Sequence, residues 1–195
     1  EHFSYNSWHF STSDRMLHDR HLCSYVPMFY HELPRLYREF CDVDVAMIST
    51  APMDAHGFFN FGPQCSHTMA ICDRAKKIIL EVNRNIPVCL GGREECIPLS
   101  RVDGIVEADW PIPELPPAEP SAADLAIARE VVGHLGDGCC IQLGIGGLPN
   151  AVGALIAKSG LKDLGIHTEM FTDSMVDMIE SGQVTGARKA IDRRK

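Results

Sequence analysis

Residues 139–169 constrain the fold more than any other stretch of the chain. Residues 139–143 (CCIQL) are a short apolar run suited to a buried parallel strand, and they break into Gly144, Ile145, Gly146 and Gly147. A helix opens at Leu148-Pro149-Asn150, with Leu148, Val152, Leu155 and Ile156 at the i, i+4, i+7, i+8 spacing of one apolar face. Lys158, Ser159 and Gly160 close that helix, and residues 164–168 rise as a second strand into Glu169. A strand that empties into a glycine turn at a helix N-terminus leaves backbone N–H groups free to face an anion. In a parallel sheet this is also the edge where ligands collect.

Elsewhere the pattern divides into two halves. In the first, residues 34–40 read as a short helix and residues 43–48 (VDVAMI) as a strand. Residues 52–57 (PMDAHG) carry turn chemistry, with Gly57 free to take positive φ, and residues 58–62 (FFNFG) follow as an extended piece. Ser66 is placed to cap a helix running to about Lys76, and residues 77–82 and 104–106 read as further strands. A proline-rich linker, residues 111–120 (PIPELPPAEP), separates residues 1–110 from residues 121–195. It must be extended and largely unable to donate backbone hydrogen bonds.

The second half starts with a marked helix: Ser121 as N-cap, Asp124 three residues on, and Leu125, Ala128, Val132 and Leu135 along one face. Asp137 and Gly138 turn the chain into the strand at Cys139, and Ser174 reads as the cap of a last short helix through Ile179, ended by Gly182. Strands and helices alternating at this length define an α/β fold with a mostly parallel sheet flanked by helices, the second segment packing with the first.

Composition narrows the partners. A net charge of −8 argues against nucleic acid, and the basic cluster Arg193, Arg194, Lys195 sits at a terminus. No apolar stretch approaches the ~20 residues that span a bilayer, so no membrane is expected. The eight cysteines form no Cys-x-x-Cys pair, and Cys72, Cys89, Cys139 and Cys140 sit in apolar or helical patterns. They read as reduced thiols of a cytosolic protein. The chain starts at Glu1 and runs at once into Phe3, Trp8 and Phe10, from which we expect a piece of something longer.

Each chemical candidate has more than one reading. The loop from Gly144 to Asn150 resembles the dinucleotide fingerprint, with Pro149 in place of the third glycine and Glu169 at the distance of a ribose-binding acid. Nicotinamide binding, an anion- or acyl-binding loop and a structural turn all remain open, with the second favoured. Glu169, at a strand's carboxyl end opposite the loop, suits a general base or nucleophile, or a hydrogen-bonded structural carboxylate. Asp54 and His56 suit an acid–base pair, although an Asx turn is favoured. Of the nine histidines, His18 and His21 are spaced to share a helix face, but with no third ligand in view we expect no metal.

Several segments together resemble the acetyl-CoA hydrolase/transferase family, in particular its 4-hydroxybutyrate CoA-transferase and butyryl-CoA:acetate CoA-transferase branch. They are residues 6–10 (NSWHF), 52–57 (PMDAHG), 61–63 (FGP), 77–92 (KIILEVNRNIPVCLGG), 102–107 (VDGIVE), 114–117 (ELPP), 142–152 (QLGIGGLPNAV) and 164–170 (LGIHTEM). The resemblance implies a CoA-transferase-like fold and a ping-pong transfer of coenzyme A between an acyl-CoA and a free carboxylate. A glutamate attacks the thioester, and an acyl–glutamyl anhydride gives way to a glutamyl-CoA thioester. No metal or redox cofactor is needed, coenzyme A being a substrate.

Members of the family are about twice this length, and the usual nucleophile lies in a second domain that would follow Lys195. The resemblance therefore implies a partnership with that C-terminal domain, a homo-oligomer, and no turnover by this chain alone. Within the chain it points to Gln142, Gly144, Gly146, Gly147, Pro149 and Asn150 on the acyl or carboxylate side of the cleft. Glu169 is a wall of the active site, with nucleophile the less favoured role. An acyl-CoA hydrolase and a non-catalytic acyl-CoA or partner-binding module are the rival expectations.

Overall fold

In strand β3 (Val43–Thr50) alternate side chains part company: Ala46, Ile48 and Thr50 are buried while Val45 and Met47 are exposed. That period of two is what a strand with one covered face requires. The computed structural model describes residues 3–116, 118–191 and 193. Glu1, Pro117 of the linker, and Arg194 and Lys195 of the terminal basic cluster lie outside the described residues. The chain forms two compact units, Glu1–Ile112 and Pro113–Lys195, each an α/β assembly with parallel strands flanked by helices.

In the first unit β3 pairs in parallel with β5 (Ala75–Asn83), and β5 with β7 (Gly104–Ala108), giving the order β3-β5-β7. A separate pair, β4 (Phe58–Asn60) against β6 (Cys96–Pro98), is antiparallel. Phe59 and Ile97 of this pair, and Phe61 just beyond β4, join Ala46, Ile48, Ile78, Leu80 and Cys72 in one core. Helices α2 (Leu33–Phe40) and α3 (Thr68–Arg74) complete the unit, with Leu33 fully buried.

Ahead of them lies a small parallel pair that the sequence pattern did not announce. It comprises β1 (Tyr5–Ser7), β2 (Cys23–Tyr25) and the intervening helix α1 (Thr12–Asp19). Ser11 and Asp14 form a reciprocal capping box at the start of α1, and Tyr5 Oη also donates to the Asp14 carboxylate at 2.5 Å. Helix α1 ends at Asp19, and His21 takes φ 58° in the turn beyond it. His18 and His21 therefore do not share a helix face.

The second unit is built from α4 (Ala122–Gly133), β8 (Cys140–Ile141), α5 (Gly147–Ala157), β9 (Gly165–Ile166) and α6 (Asp173–Glu180). Ser121 and Asp124 form the expected capping box, and Ala128 is fully buried with Leu125, Val132 and Leu135 packed around the same core. That core joins Val152 and Ile156 of α5 to Met175 and Met178 of α6. Gly153 sits where α5 meets α6: a methyl group there would lie 2.1 Å from Ser174 Oγ and 2.6 Å from Ser174 Cβ. The buried Gln183 amide donates to the carbonyls of Ile156 and Ser159, satisfying the end of α5.

Local details differ from the sequence reading. Helix α3 starts at Thr68 with His67 as an N-cap whose side chain caps no helix amide, while the Ser66 hydroxyl is engaged by Tyr30 and His67. It ends at Arg74 because Ala75 and Lys76 are drawn into β5, where Ala75 pairs with Val43. Helix α6 starts after Thr172, so Ser174 lies inside it, 3.2 Å from the Thr172 hydroxyl. The strands expected over 139–143 and 164–168 shrink to two residues each because the ladder between them is that short.

Two measurements check this packing. Gly153→Ala is expected to destabilise the second unit by about 1–3 kcal/mol in urea denaturation, since α5 and α6 must move apart to admit the methyl group. The Ser11 and Tyr5 hydroxyls pull the Asp14 carboxyl from its ordinary 3.8 to about 2. A depressed carboxyl stabilises the fold above its unfolded value. The α1 amides should therefore lose hydrogen-exchange protection as pH falls from about 4 towards 2. Asp14→Asn should remove that pH dependence.

Candidate functional site

The site anticipated from sequence assembles in the second unit at the carboxyl ends of β8 and β9. The strands run parallel with Cys140 opposite Gly165 and Ile141 opposite Ile166. The ladder continues through Gly165 N to Cys139 O at 3.0 Å and His167 N to Ile141 O at 3.0 Å. Thr168 Oγ1 then donates to Leu143 O at 3.3 Å, with Met170 O also 2.9 Å away. These bonds bring the start of the glycine loop and the segment carrying Glu169 to the same edge of the ladder.

Gly146 is the N-cap of α5 with φ 124°, a region closed to residues with a Cβ, and no side chain caps this helix. Asn150 N donates to Gly146 O at 3.1 Å, closing the first turn. Pro149 has no N–H to donate, which leaves the Gly147 and Leu148 amides as the donors at this helix start. A methyl group on Gly147 would lie 3.0 Å from Asp124 Oδ2 and 3.3 Å from Glu119 O. The helix therefore begins against the end of the proline-rich stretch.

The structure unites most, not all, of the anticipated residues. Gly144, Gly146, Gly147 and Pro149 form the turn itself, and Gln142 and Glu169 are exposed on either side of it. The Asn150 amide is instead engaged by Ala118 O at 3.2 Å. Ile145, Met170 and Phe171 expose apolar side chains directly beside the loop and Glu169, an apolar border on which the sequence pattern put no emphasis. Contiguity in the chain was the available signal, since these residues adjoin Gly144 and Glu169.

In the first unit Asp54 acts as a turn former. Its Oδ1 accepts from Phe58 N and His56 N, each at 2.9 Å, and these N–H groups hold its carboxyl below the usual carboxylate range. Asp54 and His56 meet through backbone, not as an acid–base pair of side chains. Hollows of about 210 Å³ beside α2 and about 230 Å³ beside α1 are lined by neither the glycine loop nor Glu169. Among the described residues no group of three or more His, Cys, Asp or Glu is placed to hold a metal ion. All eight cysteines are thiols, of which Cys140 is exposed. No helix among the described residues is long and apolar enough to cross a membrane.

Parallel strands flanked by helices, with a glycine loop at a strand's carboxyl edge, define the general class: an α/β protein. Comparison with known proteins makes this particular. Residues 2–116 match the model of the acetyl-CoA hydrolase/transferase N-terminal domain, and the chain belongs to that family. The butyryl-CoA:acetate CoA-transferase of Anaerostipes caccae is 51% identical over 196 residues, covering 99% of this chain and 44% of that protein. RipA from Yersinia pestis superposes with a TM-score of 0.86 at 35% identity, over 97% of this chain and 45% of RipA. The 4-hydroxybutyrate CoA-transferase of Porphyromonas gingivalis gives 0.77 at 35% identity, over 92% of this chain and 45% of that one. The chain thus spans less than half the length of the proteins it matches.

Gly146→Ala tests the loop. With φ 124° forced on an alanine, it should cost about 1–3 kcal/mol, read as a lower urea midpoint for the second unit. Thr168→Val should leave the urea midpoint nearly unchanged while raising hydrogen exchange at Gly144, Ile145 and Gly146.

Proposed function

We propose that this chain is the N-terminal part of a CoA-transferase that moves coenzyme A between a short-chain acyl-CoA, butyryl- or 4-hydroxybutyryl-CoA, and a carboxylate such as acetate. One observation carries the reading: half of its residues are identical, along almost its whole length, to a butyryl-CoA:acetate CoA-transferase. A glutamate attacks the thioester carbonyl and the thiolate leaves, giving an acyl–glutamyl anhydride. The thiolate returns to the glutamyl carbonyl and releases the acyl carboxylate, and the acceptor acid then takes the coenzyme A by the reverse steps.

The nucleophile belongs to the part of the protein beyond Lys195, so the chain by itself is inactive. Its contribution is one wall of the cleft. The Gly147 and Leu148 amides at the start of α5 face the oxyanion or carboxylate, where fixed donors stabilise developing charge. Gln142, Gly144, Gly146, Pro149 and Asn150 shape that loop. Ile145, Met170 and Phe171 offer an apolar surface to the acyl chain, and Glu169 borders the reacting centre. The chemistry uses no metal or redox cofactor, and the reduced thiols accord with a cytosolic protein. The whole protein works as a homo-oligomer, with acyl-CoA and short-chain acids rather than nucleic acid or membrane as its partners.

The test is exchange between butyryl-CoA and labelled acetate, using this chain and a chain extended to its relatives' full length. Labelled acetyl-CoA is expected from the extended form alone. Glu169→Gln in that form should lower kcat/KM roughly tenfold, about 1.4 kcal/mol, far short of the ~10⁶-fold loss on removing a nucleophile. Exchange by the short chain, abolished by Glu169→Gln, would make Glu169 the nucleophile. Free thiol without labelled acetyl-CoA would make the protein a hydrolase. Binding of butyryl-CoA with no turnover in either form would make it a binding module.

A further inference from the structure

In the first unit, the segment between β4 and α3 gathers around itself five side chains that the transferase reading does not use. Ser66 is exposed two residues ahead of α3. Tyr30 Oη donates to Ser66 Oγ at 2.5 Å, and Ser66 Oγ lies 2.8 Å from His67 Nδ1. The His67 ring is stacked on Tyr37, centroids 5.3 Å apart and 13° from parallel, and Trp8 stands edge-on to it at 5.2 Å. Trp8 also meets Tyr30 edge-on at 5.4 Å. The imidazole is thus held between two aromatic rings and half-buried, and loss of solvent lowers its pKa from the ordinary 6.5.

Hydrogen-bond accounting assigns the protons. Tyr30 already supplies the Ser66 oxygen with a donor, which directs the Ser66 proton to His67 Nδ1 and places the imidazole proton on Nε2. The row therefore reads tyrosine hydroxyl, serine hydroxyl, neutral imidazole acceptor, with the middle oxygen open to solvent. Gln64 Nε2 donates to Ser49 O near the end of β3, which ties this segment to the carboxyl edge of the first unit's parallel sheet. A nucleophile within reach of a base, at a ligand-collecting edge, is an arrangement that chemistry can use.

We propose that Ser66 is a nucleophile toward activated acyl groups. Its Oγ attacks the carbonyl carbon of a small acyl ester or thioester, and its proton passes to His67 Nδ1. The carbon–oxygen or carbon–sulfur bond of the leaving group then breaks, and His67 returns the proton to the departing oxygen or sulfur. The products are O-acyl Ser66 and the free alcohol or thiol, with no oxidant or reductant involved. Tyr30, by donating to Ser66 Oγ, holds that oxygen with its proton aimed at His67 Nδ1. The site uses none of residues 142–169, so it stands apart from the transferase reading.

The experiment treats the 195-residue chain with p-nitrophenyl acetate, and separately with acetyl-CoA, and maps the acetylated residues by peptide mass spectrometry. Acetyl on Ser66 is expected, formed well ahead of any on the exposed Ser100. The phase of nitrophenolate release belonging to Ser66 should vanish in Ser66→Ala. It should slow ~100-fold or more in His67→Gln, the scale of general-base assistance. Tyr30→Phe, which keeps the ring against Trp8, should slow it about tenfold. Thioesters formed on exposed thiols such as Cys140 are removed by neutral hydroxylamine, whereas the Ser66 ester survives. Acetyl-CoA labelling Ser66 would make coenzyme A thioesters acyl donors, while labelling by the nitrophenyl ester alone would restrict the donors to oxygen esters. Absence of acetyl from Ser66, or acetylation as fast in His67→Gln as in the unaltered chain, would overturn the proposal.

Discussion

Parallel strands cannot be joined by a hairpin: after each strand the chain must travel back across the sheet before the next begins. Between β3 and β5 that journey includes the Asp54 turn, the β4 strand, the Ser66–His67 segment and α3. Between β8 and β9 it is the glycine loop and α5. The glycine loop and the Ser66–His67 segment both lie on such crossovers. In the second unit the ladder is two residues long, yet it determines that Gly144 and Glu169 emerge on one edge, because parallel partners end together.

So short a ladder does not hold the second unit together. Burial does: Ile156, Leu164, Met175 and Met178 are wholly excluded from solvent, and a side chain of that size contributes about 1.5–3 kcal/mol when fully buried. The absence of a side chain at Gly153 is what lets α5 and α6 close over that core. In the first unit the charged network in which Arg38 bonds Asp73 and Glu94, and Arg101 bonds Asp73, is partly solvated. Pairs of this kind are worth roughly 0–1 kcal/mol each. Leu80, Phe61 and Ile97 outweigh them.

Much of the architecture was legible because it follows from local chemistry. Ser121 and Asp124 begin α4 through a capping box that needs only residues three apart. Gly57 turns with positive φ, and Asp54 accepts the N–H groups of His56 and Phe58, within four residues of itself. The features that were missed depend on distant partners. Ser66 and Ser174 look like caps in sequence, but the Ser66 hydroxyl oxygen accepts from Tyr30, 36 residues away, while Thr172 opens α6 ahead of Ser174. The β1–α1–β2 unit escaped notice because each strand is three residues long, too short to show a period.

By itself the sequence determined the α/β class, the family and the composition of the glycine loop, since periodicity, capping and motif spacing are all written in neighbouring residues. The tertiary structure alone decided what each polar group faces. It turned the Asn150 amide to Ala118, stood Glu169 in solvent beside an apolar border of Ile145, Met170 and Phe171, and brought Trp8 and Tyr37 around His67 and Tyr30 to Ser66. Hydrogen bonds and ring contacts act over a few ångströms of space, and residues far apart in the chain come that close only when the strands between them have paired.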